Sequence, residues 1–146
     1  MLDALDHIQI QYLLGRYGHA LDAHDWDGLG RLFTPDAVLD YTAVRAPKVL
    51  RGTEEILSYF RSANHPSAHH VTNIIVDDTG ADVRVHSKFF VPFTRASHLP
   101  LRWYGGDYHD VVVKSDGGWL FSEKVCIARW QFTHTDDEVP EHRRTF

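Results

Sequence analysis

Two adjacent histidines, His69 and His70, stand at the head of the alternating segment SAHHVTNIIV. Neighbours on a strand point to opposite faces, so one ring turns toward a core and the other away from it. An inward imidazole needs partners for its ring nitrogens. If that partner is a carboxylate, it fixes the tautomer and strengthens the other nitrogen as a base. The chemistry on offer is proton transfer to and from carbon. Tyr17 and Tyr41 are phenols of the kind that hold a carbonyl or phenol oxygen while charge develops on it. Their alternative is two core aromatics whose hydroxyls find backbone partners.

Other chemistries find less support. The chain has eleven histidines, yet their spacing does not make a metal site. His65 and His69 are four apart, but Pro66 between them breaks a shared helical face. There is no His-Glu-x-x-His and no cysteine pair, so no metal and no cofactor are expected. Cys126 lies in the apolar run KVCIARW, where a lone cysteine is a small core residue. Neither GTEE nor GGDY has the spacing of a phosphate loop.

Those side chains need a scaffold. The chain has 146 residues, which suits a single domain over 1–146 with a real core. The formal charge is −5 and no Lys/Arg cluster is dense enough to follow a phosphate backbone, so nucleic acid is not an expected partner. No apolar run reaches the roughly 18 residues of a membrane span. The first residues, MLDALDHIQI, lack a basic region followed by an apolar one, so no secretory leader is expected. One cysteine excludes an internal disulfide. A cytoplasmic protein fits these features.

From Leu2 to Leu21, the residues Leu5, Ile8, Tyr12, Leu13, Tyr17, Ala20 and Leu21 recur at helical spacing. A short second helix follows, with Asp25 as N-cap, Leu29, Leu32 and Phe33 as its buried face, and Pro35 as its stop. AVLDYTAV reads as a short strand, with KVL pairing back on it. A third helix starts with Thr53 as N-cap and turns Ile56, Tyr59, Phe60 and Ala63 inward. The period then changes to two. Residues 68–77, 82–93, 103–114 and 118–132 read as four long strands, with turns at DDTGAD and KSDGG and a longer connection at TRASHLPLR. Helices followed by an antiparallel meander predict an α+β fold, with the helices packed on one face of a curved sheet, and a strong bend in that sheet makes a cone. The segment 133–146 has no packing pattern and reads as a flexible tail or a cover for the cone mouth.

The blocks RYGHALDAHDWDGLGRLFTPDAVLDY, GTEEILSYF, HHVTNIIV and GGWLFSEKVCIARW resemble the SnoaL-like branch of the nuclear transport factor 2-like superfamily, over about residues 5–132. The resemblance implies a cone-shaped α+β barrel, its strongly bent mixed sheet wrapped around the N-terminal helices. Within the branch the chain is similar to scytalone dehydratase, hexachlorocyclohexane dehydrochlorinase and polyketide cyclases. That similarity implies a cofactor-independent lyase, a dehydratase or cyclase acting on an aromatic or polyketide-like small molecule. It implies His69 as base and acid, with Asp22 in ALDAHDWD orienting it, and it places His70 on the opposite face, under a helix or at an interface. Tyr41 in VLDY, with Tyr17, is implied as holder of the substrate oxygen. Phe93, Tyr108, Trp130 and Phe60 are expected to line the pocket. Phe93 stands where the dehydratase has a second histidine, and Gly106 and Tyr108 stand where it has Ser and Asn. Asn73 is expected to tie strand to helix. Superfamily members also include ketosteroid isomerases and non-catalytic binding or assembly proteins, which remain alternatives. Tyr41 stands where the isomerase base belongs. A homodimer or homotrimer is implied as well.

Overall fold

A computed structural model describes residues 1–44, 46–63, 68–95 and 98–134, with the backbone alone for 93–95, 98–101 and 134. Helix α1 (Ala4–Ala23) is followed by α2 (Trp26–Gly30), strand β1 (Phe33–Asp40), a single 3-10 turn (Thr42–Val44), β2 (Leu50–Arg51) and α3 (Thr53–Ser62). Then come β3 (His70–Asp78), β4 (Val83–Arg95), β5 (His98–Ser115) and β6 (Gly118–His134). The strands form one six-stranded sheet in the order β2-β1-β6-β5-β4-β3. All neighbours are antiparallel except β1 and β6, which run parallel. This is a mixed, curved, unclosed sheet with N-terminal helices, the α+β plan that the element order predicts and the mixed sheet that the resemblance implies. Among the described residues no helix is long and apolar enough to cross a membrane.

The inward row of the sheet is legible from burial. It comprises Val85, Ser87, Phe89 and Val91 on β4, Tyr108, Asp110 and Val112 on β5, and Phe121, Lys124 and Cys126 on β6. Ile10, Leu13, Leu14 and Tyr17 of α1 and Ile56 and Phe60 of α3 are buried in the same core. Two irregularities bend the longest pair of strands, where the β5–β6 register shifts between Gly105 and Gly106 and again between Val111 and Val112. Bulges of this kind add curvature and re-aim side chains.

The helical stripe of α1 is rotated from the expected one. Leu5, Ile8 and Tyr12 are exposed, and Asp6 is buried instead. Asp6 turns inward because its carboxylate accepts from Lys114 Nζ (2.6 Å) and the Trp119 indole (3.2 Å). It also completes a reciprocal capping box with Asp3.

Other expectations shift locally. Asp25 does cap α2, its carboxylate accepting from Gly28 N–H at 2.8 Å. The helix stops at Gly30, however, and Phe33 and Pro35 belong to β1, because Phe33 pairs with Phe121 of β6. Residues 42–44 form the 3-10 turn rather than more strand. The cap of α3 is Gly52, at a φ of 82°, and the Thr53 hydroxyl donates to the Thr34 carbonyl at 2.8 Å. The expected long connection over 94–102 is largely strand, since Arg95 and His98 pair across β4 and β5. Residues 135–146 of the expected tail lie outside the described residues; 133 and 134 complete β6.

Gly106 is required by the upper bulge. A Cβ there would fall 2.0 Å from the Ile127 carbonyl oxygen, which is backbone and cannot swing away. Gly106→Ala is expected to lower stability by about 1–3 kcal/mol, as overpacking does. Gly117→Ala, with no atom within 4 Å of the new Cβ, leaves the melting temperature near that of the parent. Thermal unfolding of both variants checks the contrast.

Candidate active site

His69 lies just before β3, where the chain closes against α1. Gly18 makes the approach possible: a Cβ on it would stand 3.4 Å from His69 Cβ and 3.5 Å from its carbonyl oxygen. Four residues on, along the same helical face, Asp22 meets the histidine twice. Its Oδ1 lies 2.5 Å from His69 Nδ1, and its two oxygens accept from the His69 main-chain N–H at 3.1 and 3.0 Å. An ionised carboxylate only accepts, so Nδ1 carries the proton and Nε2 carries the lone pair. Among the described residues no hydrogen bond reaches Nε2. The His69 side chain is 7 % exposed, and burial pushes its pKa below the ordinary 6.5, against the hydrogen bond and charge of Asp22, with His70 and Lys124 pushing further down. The ring is therefore held neutral at neutral pH, with the lone pair on Nε2.

His70 points the other way. It is exposed, its Nδ1 lies 2.7 Å from the Ala68 carbonyl, and its ring stacks on Phe90 at 4.4 Å. Among the described residues Asn73 makes no side-chain hydrogen bond to a helix. It sits at a φ of 52° beside a register shift in β3, and its side-chain oxygen accepts from the Thr72 hydroxyl.

The tyrosines come together in the core. The Tyr17 and Tyr41 hydroxyls are 2.5 Å apart, and the Tyr108 ring lies parallel to that of Tyr41, 6.2 Å between centroids. Tyr17 and Tyr41 share one bond, so one of their two O–H protons is left for another acceptor. Burial raises all three pKa values well above 10, so all three are neutral donors at neutral pH. Phe60 packs edge-on against Tyr17 and Tyr41, at 6.4 and 5.8 Å between ring centroids. Tyr108 stacks on Tyr41 and on Phe89.

Trp130 is not brought to this cluster. It is 48 % exposed and covers Gly105 on the outward row, where a Cβ would meet its ring at 2.1 Å. Phe93 is placed on β4 opposite Arg102; its side chain lies outside the described residues. Burial pushes the Cys126 thiol up to about 12, which makes it a packing group rather than a nucleophile.

One pair escapes the sequence reading. Lys124 and Asp110 face each other across β6 and β5 and both are buried, at 1 % and 2 % exposure. The ammonium donates to both carboxylate oxygens, at 2.9 and 3.1 Å. It also lies over the rings of Tyr108 (3.9 Å), Tyr17 (4.5 Å) and Phe121 (4.6 Å). Burial drives Lys124 down and Asp110 up, and each opposes the shift of the other. Dehydrating such a pair costs several kcal/mol per ion, so stability alone is a weak reason for it. Among the described residues no group of three or more His, Cys, Asp or Glu could hold a metal. A surface cavity of about 470 Å³ opens at the opposite end of β3, between Leu2, His7, Val76 and Asp78, and touches none of these groups.

Comparison with known proteins places this arrangement in context. A model of the SnoaL-like domain family matches residues 3–125. An uncharacterized protein of Mycobacterium tuberculosis is 32 % identical over 126 residues, covering 82 % of this chain and 83 % of its own length. Two solved structures from Novosphingobium aromaticivorans superpose well. One, assigned provisionally as an aromatic ring hydroxylase, gives a TM-score of 0.79 at 22 % identity, covering 94 % of this chain and 99 % of its own. The other, assigned provisionally as a scytalone dehydratase, gives 0.76 at 21 % identity, covering 90 % and 89 %. A hexachlorocyclohexane dehydrochlorinase gives 0.77 at 17 % identity, covering 92 % and 95 %. At these identities the likeness to the solved structures is one of fold.

Folding lowers the His69 pKa, so below pH 6.5 the unfolded chain binds more protons than the folded one. The stability this group contributes is present above pH 6.5 and is lost as the pH falls through the lowered folded value. In NMR titration the His69 ring is expected to titrate below 6.5. Asp22→Asn removes the charge that opposes the shift, and its His69 is expected to titrate lower still.

Proposed function

The chain belongs to the SnoaL-like domain family, within the nuclear transport factor 2-like superfamily, and from that membership we propose that it is a cofactor-independent lyase. In this reading it removes water from, or closes a ring in, a small aromatic or polyketide-like compound by acid–base chemistry. The observation that carries the reading is the His69 Nδ1–Asp22 Oδ1 contact of 2.5 Å, which leaves the lone pair on Nε2, a buried nitrogen that no hydrogen bond reaches among the described residues.

The steps balance without a cofactor. Nε2 takes a proton from the carbon next to a carbonyl, and the electron pair moves onto the carbonyl oxygen. Asp22 stabilises the imidazolium that results. The leftover O–H of the tyrosine cluster, from Tyr41 or Tyr17, donates to that oxygen while it is negative. The imidazolium then returns its proton to the leaving hydroxyl, and water departs as the double bond forms. Phe60 and Tyr108 shape the apolar wall beside this centre. Two of the superposing structures carry names for eliminations, a dehydratase and a dehydrochlorinase, which supports the reaction class. The reading also includes a homodimer or homotrimer in the cytoplasm.

Positioned proton transfer contributes about 10²–10⁴-fold to rate. With hydroxylated aromatic ketones as substrates, His69→Ala is expected to lose turnover by that factor while keeping the parent circular dichroism and melting profile. A His69→Ala enzyme running at near-parent kcat would remove His69 from the mechanism.

A further inference from the structure

The inward face carries two polar groups that the proton transfer at His69 does not use. One is Lys124, a cation held by Asp110 beneath the tyrosine cluster. The other is Ser87, which is 3 % exposed and whose Oγ has no hydrogen-bond partner among the described residues. Buried hydroxyls are satisfied in the great majority of cases, so one left open on the inward face needs a reason. Ser87 lies directly opposite Tyr108 across β4 and β5, and the Lys124 ammonium lies 3.9 Å from the centre of the Tyr108 ring. Tyr108 is thus the shared neighbour of an open hydroxyl, a fixed positive charge and the Tyr17–Tyr41 pair.

We propose that Ser87 and Lys124 mark an oxygen-binding subsite and that the ligand it takes is an enolisable ketone or a phenol bound with its oxygen anionic or becoming so. The inference rests on the lyase reading in that it locates the oxygen on which the electron pair of that reaction would settle. Ser87 Oγ–H and the spare tyrosine proton donate to the oxygen directly. Lys124 does not touch it and is a positioning residue, supplying positive charge through the ring faces it covers. Asp110 keeps that charge in place in the free protein. In a site of low dielectric such a charge favours the ionised form of the ligand over the neutral one. A role confined to holding β5 and β6 in register would leave that preference unchanged.

The test uses the full chain and para-nitrophenol, whose ionised form absorbs visible light. On the parent protein the absorption is expected to persist below the pH at which it fades in free solution. The double variant Lys124→Met/Asp110→Asn removes the pair without leaving a lone buried charge, which protects the fold. It is expected to lose the preference for the phenolate by about tenfold or more, one unit in the bound phenol's pKa. Ser87→Ala deletes an unpaired buried hydroxyl, so it melts no lower than the parent, yet it binds both forms of the phenol more weakly. Absent binding, uptake of the neutral phenol alone, an unchanged preference in the double variant, or unchanged affinity in Ser87→Ala each overturns the proposal. The readout is the ionisation of the ligand and does not depend on proton transfer by His69. A failure here and a fully active His69→Ala enzyme are therefore separate results.

Discussion

The histidine, the phenols Tyr17 and Tyr41 and the lysine that α1 and the sheet bring to the candidate site each need a partner, and that requirement organises this fold. Three pairings answer it. Asp22 takes both the ring and the main chain of His69, Tyr17 takes Tyr41, and Asp110 takes Lys124. They join α1 to the head of β3, α1 to the end of β1, and β5 to β6. Apolar packing drives the helices onto the sheet without specifying one orientation. The polar pairs add direction, because a small sliding of α1 would break two of them together.

The same constraint links architecture to chemistry. A histidine on the surface, without a carboxylate behind it, is an ordinary titrating group near pH 6.5. Sunk beside Asp22 it becomes a neutral base with a fixed tautomer. Burial and charge act against each other at His69, and burial is the larger effect. At Lys124 and Asp110 burial again dominates, so the pair is held together by mutual need rather than by contact with water.

Much of this was readable from the residues, and the exceptions have physical causes. The four long strands announce themselves because they alternate and because DDTGAD and KSDGG mark the turns of the first and last pairs. The contact between His69 and Asp22 follows from resemblance, since alternation alone cannot say which of two neighbouring histidines faces in. Lys124 was hidden by a bulge. Counting by twos from buried Phe121 puts Glu123 and Val125 inside. The register shift opposite Val111 and Val112 flips that parity and sends Lys124 and Cys126 inward instead. The misread stripe of α1 has a similar origin, because Asp6 is drawn inside by Trp119, more than a hundred residues away. Trp130 reads as a pocket residue by type and stands on the outer face because Gly105 offers its backbone as a platform.

The double use of Asp22 has a consequence for lineage. One carboxylate both activates the ring of His69 and anchors the main chain from which β3 departs. A descendant that abandoned the reaction could exchange the imidazole freely, because any residue at 69 other than proline supplies the same main-chain N–H. It could not so easily exchange the aspartate. In an evolving family the aspartate would then outlive the activity, and the histidine would be the truer marker of which members still carry out chemistry.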